Sequence, residues 1–244
     1  MKLIQIYLFA LIITIQTTFP QVQGDIERDP VDITAMAIIQ KYMHAIGGIE
    51  SFKRVEDRTT IMSGLAMTQP VNIIIKQKYP DKLFQELSVG EVNQFIYYNN
   101  GRGVLRIADE VTEIQDKELE RLKLDATMQF LLDPESYGVK IQLLPNEYVD
   151  SVDCFTVQFT LPSGLHWKQY YESASGLKVK ETKEIQTAQG LFEQETYFSD
   201  YREVRGIKYP FSITQYLGLQ EINLTVKSIK INSGLDDKTF ELPE

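Results

Sequence analysis

The side chains of this chain best suited to nucleophilic, acid–base or metal chemistry are two histidines and one cysteine. His44 stands between Met43 and Ala45, and His166 between Leu165 and Trp167. Neither falls in H-E-x-x-H, H-x-x-E-H or G-x-S-x-G, the spacings that bring a ligand, base or nucleophile onto one face of an element. A lone Cys154 excludes an internal disulfide framework and any multi-cysteine metal site. Its neighbours Phe155, Val157, Phe159 and Leu161 alternate with Thr156, Gln158 and Thr160, so it takes a plain strand position. Gly101-Arg102-Gly103 offers a small anion nest, but behind Asn99-Asn100 a hairpin turn is the better reading. With 34 Asp and Glu residues some carboxylate pairs are unavoidable, and Glu118, Glu120 and Asp125 are expected on the solvated side of a helical segment. No catalytic residue, metal ligand or cofactor site is assigned. A hydrolase acting on envelope material is the least favoured function.

Binding of something apolar is better supported. Ile207, Tyr209, Phe211 and Ile213 alternate with Lys208, Ser212 and Thr214, and Ile222, Leu224 and Val226 alternate with Asn223 and Thr225. In an extended strand each such set faces one way. Val71, Ile73 and Ile75 repeat the pattern early in the chain, and Leu165, Trp167 and Tyr171 in its middle. A large curved sheet would present these faces to one concave side. The candidate ligand-lining residues are therefore Ile73, Ile75, Leu87, Phe155, Val157, Phe159, Trp167, Phe211, Ile213, Leu224 and Val226. Helices and side chains could equally fill that concavity and leave an ordinary core.

The elements that must hold these residues are legible from period and turns. Ile38 or Ile39, Tyr42 or Met43, and Ile46 recur at helical spacing, with Asp32 or Thr34 to cap the start and Gly47-Gly48 to stop the helix. A short amphipathic turn over 49–55 follows. From Arg58 the period falls to two, and strands are expected at about 58–67, 71–79, 82–89, 92–99 and 103–108. Gln69-Pro70, Pro80-Asp81, Gly90-Glu91 and Asn99-Asn100-Gly101 join them, and connections this short make antiparallel neighbours. Over 116–132 the strands are interrupted. Leu119, Leu122, Met128 and Leu131 form an apolar stripe there, the candidate lid; Asp125 could cap a second helix within it, and Pro134 ends it. Strands resume at about 139–145, 152–162, 165–172, 177–186, 190–200, 207–216 and 219–231. About a dozen strands in a continuous meander must curl, split or close. The expected fold is mainly β (α+β): one strongly curved antiparallel sheet, an incomplete barrel, with helices covering its concave face.

Lys2 followed by an uncharged apolar run from Leu3 to Ile15 has the form of a secretory signal, too short to span a bilayer comfortably. Cleavage is expected near Gly24, before Asp25, with a flexible leader over 25–31 and one domain over 32–244. No cysteine follows the apolar run to carry a lipid anchor of the bacterial lipoprotein type. The mature chain of about 220 residues fits a single domain. The full chain carries net charge −9 without a basic cluster, so nucleic acid is not an expected partner.

Several phrases resemble a known family. Ala45-Ile46-Gly47-Gly48, Tyr79-Pro80-Asp81-Lys82 and Asn99-Asn100-Gly101 look like the start of the LolA/LolB-like outer-membrane lipoprotein-sorting proteins, in the Bacteroidetes-type form. LPSG at 161–164, YYESASGLKVK at 170–180, FSDYREVRGIKYPF at 198–211 and VKSIKINSGLDDKTF at 226–240 extend the match over nearly all of the mature chain. Each phrase is a turn with its strand and is specific for fold. The resemblance implies an incomplete barrel plugged by helices, whose apolar cavity receives the acyl chains of lipoproteins crossing the periplasm. It implies lipid or lipoprotein acyl chains as ligand, membrane-bound donor and acceptor proteins as possible partners, and no cofactor. The alternative is a cell-envelope interaction module with a filled core.

Overall fold

A computed structural model describes residues 34–66, 68–187 and 190–243. The expected export signal (1–24), the leader (25–31) and Asp32 lie outside these residues.

Thirteen strands form one antiparallel sheet. In chain order they are β1 (Asp57–Ala66), β2 (Gln69–Lys78), β3 (Lys82–Val89), β4 (Val92–Asn99), β5 (Arg102–Ile107) and β6 (Glu110–Ile114), then β7 (Lys140–Val149), β8 (Val152–Thr160), β9 (His166–Glu172), β10 (Lys178–Thr187), β11 (Gly190–Val204), β12 (Ile207–Leu217) and β13 (Gln220–Ile231). Their spatial order is β6-β5-β4-β3-β2-β1-β13-β12-β11-β10-β9-β8-β7, so two meanders meet where β1 pairs with β13, and β6 and β7 remain as free edges. The sheet is not closed into a barrel. The expected curvature is present. β3 and β10 stand six strands apart, about 29 Å in a flat sheet, yet the single helix α3 (Asp116–Ala126) packs on both.

Twelve strands match the sequence expectation; β6 does not appear in it. Four of its five residues are exposed, so it carries no apolar alternation to detect. Two strands run longer than expected. β7 continues past Pro145 through a register shift between Leu144 and Glu147, which an edge strand tolerates because one side of its backbone is unpaired. β11 runs on to Val204 in unchanged register with β12, Asp200 taking a left-handed φ of +53° within it.

Thr34 caps α1 (Ala35–Ala45), its Oγ1 accepting from the Ala37 N–H at 3.1 Å. The helix buries Ala35, Ile38, Ile39 and Met43 and packs on β7 and β8. Each large apolar side chain buried this way is worth about 1.5–3 kcal/mol. Gly47 ends the turn at φ +129°, and a Cβ there would lie 2.0 Å from the Gly206 carbonyl oxygen. That close approach lets the Lys208 N–H donate to the Ile46 carbonyl at 2.7 Å, fastening the end of α1 to the start of β12. α2 (Ile49–Lys53) follows. The second half of the interruption, expected to hold another helix, forms two 3-10 turns at Phe130–Leu132 and Pro134–Tyr137. Asp133 caps the second of these. Asp125 lies inside α3, so the cap expected of it is corrected.

Candidate functional site

The ladder register assigns every strand residue to the concave or the convex face. One transverse row carries Leu87, Ile73, Met62 and Val226, and the next carries Val89, Val71, Gly64, Leu224 and Ile213. On the other wall Ile141 and Phe159 stand beside Trp167, and Leu143 and Val157 beside Gln169. All eleven candidate ligand-lining residues share the concave face, but they fall into two groups.

The first group is covered. Val157 and Phe159 are fully buried and Trp167 is nearly so, in a cluster that includes Ile38, Ile39 and Met43 of α1, with Phe155 packed against it. Phe130 of the first 3-10 turn sits 5.9 Å from the Phe159 ring and 6.1 Å from Trp167, centroid to centroid. Tyr42 of α1 meets Tyr171 at 5.2 Å. A cleft of about 190 Å³ remains between α1, α2 and the 3-10 turn, lined by Met36, Ile39, Met43, Ile49 and Leu131 among others. That is below the range of about 300–1,000 Å³ usual for drug-sized ligands.

Among the described residues, helices reach the second group only at its margins, where Ile75 also packs against the cluster that includes Leu122 and Ala126 of α3 and Phe211 against the α1 cluster. Met62, Val71, Ile73, Leu224 and Val226 are buried, with Ile75, Leu87, Phe211 and Ile213 half-buried around them, and no helical residue belongs to this cluster. Its own strands shelter it. At Gly64 an added Cβ would lie 1.7 Å from the Asn223 carbonyl oxygen, so β1 and β13 approach more closely than any side chain would permit. Gly64 leaves its place in the concave row without a side chain, and its cross-strand neighbours Val71 of β2 and Leu224 of β13 stand on either side. Phe211 touches both groups and marks the border.

The lid candidates divide too. Leu119 and Leu122 of α3 pack with Leu83 and Tyr98, while Met128 and Leu131 belong to the α1 side. Gly103 lets α3 come close, since a Cβ there would lie 2.7 Å from Leu122 Cδ2.

Between the two groups runs a polar seam that the sequence reading missed. Asp125 of α3 pairs with Lys183 of β10 at 2.7 Å and with Arg121 at 3.1 Å; Arg121 also pairs with Glu118 at 2.9 Å. Glu120 accepts from the Ser163 N–H at 3.1 Å. Glu120 and Asp125 are thus not a solvated helix side, as expected, but fasten the helix to the rest of the molecule, while Glu118 pairs within the helix with Arg121. Lys178 pairs with Glu181 at 2.8 Å, and Glu181 accepts from Gln169 Nε2 at 2.8 Å, while the Tyr171 hydroxyl donates to Gln169 Oε1. Burial would raise the Glu181 carboxyl, but Lys178 and Lys183 outweigh it and hold the group down at about 2. Burial pushes the hydroxyls of Tyr42, Tyr171 and Tyr201 well above the ordinary range, so they act as neutral hydrogen-bonding groups. The signal was available: Arg58, Gln77, Gln169, Glu181 and Lys183 occupy concave-facing positions of their strands, where alternation would otherwise place apolar residues.

The remaining candidates lie elsewhere. His166 Nδ1 is 3.0 Å from Glu184 Oε2, with that carboxylate also accepting from the His166 backbone N–H, an outer-face pairing. Cys154 is buried, and burial pushes its thiol up to about 11, far from a thiolate nucleophile. Gly101 has φ +77° in the expected hairpin turn before β5. Among the described residues no group of three or more His, Cys, Asp or Glu is placed to hold a metal ion. A broad polar groove on the convex face is lined by Asp150, Glu193, Glu195, Tyr197, Thr214, Tyr216 and Gly218.

No family model matches the sequence, and no curated protein sequence is similar to it. Solved structures are similar in fold. A LolA superfamily protein from Nitrosomonas europaea superposes with TM-score 0.57 at 15% identity, covering 85% of this chain and 97% of that one. A DUF1329 family protein from Desulfovibrio piger gives 0.55 at 12% identity, with the same coverage of 85% and 97%. A putative outer membrane lipoprotein-sorting protein domain from Vibrio parahaemolyticus gives 0.54 at 10%, covering 84% and 95%. At these identities the likeness is one of fold: the chain carries a LolA-like half-open antiparallel sheet.

Proposed function

We propose that this chain is a periplasmic carrier for a hydrophobic ligand, a lipid or the acyl chains of a lipoprotein, in outer-membrane lipoprotein sorting. The observation that carries the proposal is the apolar track of Ile73, Ile75, Leu87, Phe211, Ile213, Leu224 and Val226 on the concave face, which described helices meet only at Ile75 and Phe211. Apolar surface of this kind needs no motif to bind an acyl chain, since each buried CH₂ contributes about 0.8 kcal/mol. The likeness to a lipoprotein-sorting domain, and the signal-like residues 1–24, support the compartment and the cargo class. In this reading α3 is the movable cover. It is held on one wall by Leu119 and Leu122 and on the other by the Asp125–Lys183 pair, so sliding it exposes more of the track.

Native mass spectrometry of protein purified without detergent tests the reading, together with uptake of the apolar dye N-phenylnaphthylamine. Co-purified lipid, or saturable dye uptake that added lipid displaces, is the expected result. Repeated absence of both overturns it.

A second reading, an envelope interaction module with a filled core, is favoured by one observation: Val157, Phe159 and Trp167 are packed under α1. It predicts no uptake of lipid and a protein partner on the sheet's edges or outer face.

A further inference from the structure

We propose that Arg58 and Tyr209 form a head-group subsite at the inner end of the apolar track, and that the cargo it selects is a free long-chain fatty acid, bound through its carboxylate. The proposal rests on the carrier reading and specifies its ligand.

The concave seam holds four cations among the described residues: Arg58, Arg121, Lys178 and Lys183. Three of them have carboxylate partners, Arg121 with Glu118 and Asp125, Lys178 with Glu181, and Lys183 with Asp125 and Glu181. Arg58 has none. Its guanidinium donates to Gln77 Oε1 and lies over the Tyr209 ring at 5.4 Å, while its Nε is out of solvent with no acceptor. The hydroxyl of that same Tyr209 is likewise buried without a partner among the described residues. In a chain of net charge −9, shortage of acid does not explain this. Buried donors in folded proteins are nearly always satisfied, and adjacent unsatisfied ones invite a ligand explanation.

Register supplies the rest. Arg58 lies opposite Gln77 on one side and Ile231 on the other; the next concave row is Ile75, Thr60 and Ile229. Along β12, Tyr209 is followed on the same face by Phe211 and then Ile213. Two donors therefore stand where the apolar track begins. An acyl chain lying over Ile75, Phe211 and Ile213 brings its carboxylate to the guanidinium, which can donate two hydrogen bonds to it, and to the tyrosine hydroxyl.

The test compares palmitate with hexadecanol, which has the same tail without the charge, as displacers of bound N-phenylnaphthylamine at pH 8. Palmitate is expected to bind more tightly by about tenfold or more, the worth of a hydrogen bond to a charged group. The palmitate-to-hexadecanol affinity ratio should fall toward unity in Arg58→Met, stay partly raised in Arg58→Lys, and drop a few-fold in Tyr209→Phe. Should Arg58→Met not fold, Tyr209→Phe and Arg58→Lys carry the same comparison. Equal affinities in the wild-type chain, or a preference that survives all three substitutions, overturn the subsite while leaving the carrier standing. Failure of dye and both lipids to bind overturns the carrier reading and the subsite with it.

Discussion

The two halves of the concave face are built from the same kind of residue and end in different states. Phe159 and Trp167 on one wall, and Ile73 and Leu224 on the other, are all apolar strand residues facing inward. The first pair is sealed by α1 and the 3-10 turn at Phe130–Leu132; the second is sheltered by side chains of neighbouring strands. Inward-facing apolar residues thus become core or candidate binding surface according to what else reaches them. One helix separates the two outcomes.

The sharpest way to break this comparison is to cut each half. Phe159→Ala should cost about 3–5 kcal/mol, because neighbours fixed by α1 cannot collapse into the void. Urea unfolding would measure it, with dye uptake unaffected. The seam comes next. Glu181→Gln leaves Lys178 and Lys183 short of their shared counter-charge, and removing one member of a buried pair costs about 3 kcal/mol. The same group has a pH signature. Its folded value is depressed to about 2, so its stabilisation is complete above its ordinary value and is lost as pH falls from there toward 2. The gap between wild type and Glu181→Gln in thermal midpoint should therefore narrow across that acid window; a constant gap would show that Glu181 is not ionised in the folded protein. The smallest effect is expected in the open half. Ile213→Ala and Leu87→Ala, both half-buried, should each cost about 1–2 kcal/mol, below the range for a sealed core site, while weakening dye uptake. If these two cost as much as Phe159→Ala and uptake is unchanged, the open half is ordinary core and the filled-module reading prevails.

Much of this architecture was legible before any coordinates. The alternation of Ile207, Tyr209, Phe211 and Ile213, and the turns at Gly90-Glu91 and Asn99-Asn100-Gly101, are local signals, and the strands they predict are present. Thr34 and Gly47-Gly48 bound α1 as their cap chemistry requires. Where burial is absent the signal fails, as in the exposed edge strand Glu110–Ile114. The seam was missed for the opposite reason. A charged residue at an inward position has the same local appearance as one on a solvated face until its partner, dozens of residues away, is known; Asp125 and Lys183 are 58 apart in sequence.

Strand period, turn chemistry, helix caps and the choice of which side chains share a face were set by the sequence alone, because each depends on residues within a few positions of one another. Three things were decided only by the tertiary structure: which apolar residues α1 covers, how tightly β1 and β13 close at Gly64, and that no carboxylate among the described residues pairs with Arg58. All three depend on the curl of a thirteen-strand sheet, which brings strands six places apart in the order against a single helix and so makes neighbours of residues that no local pattern connects.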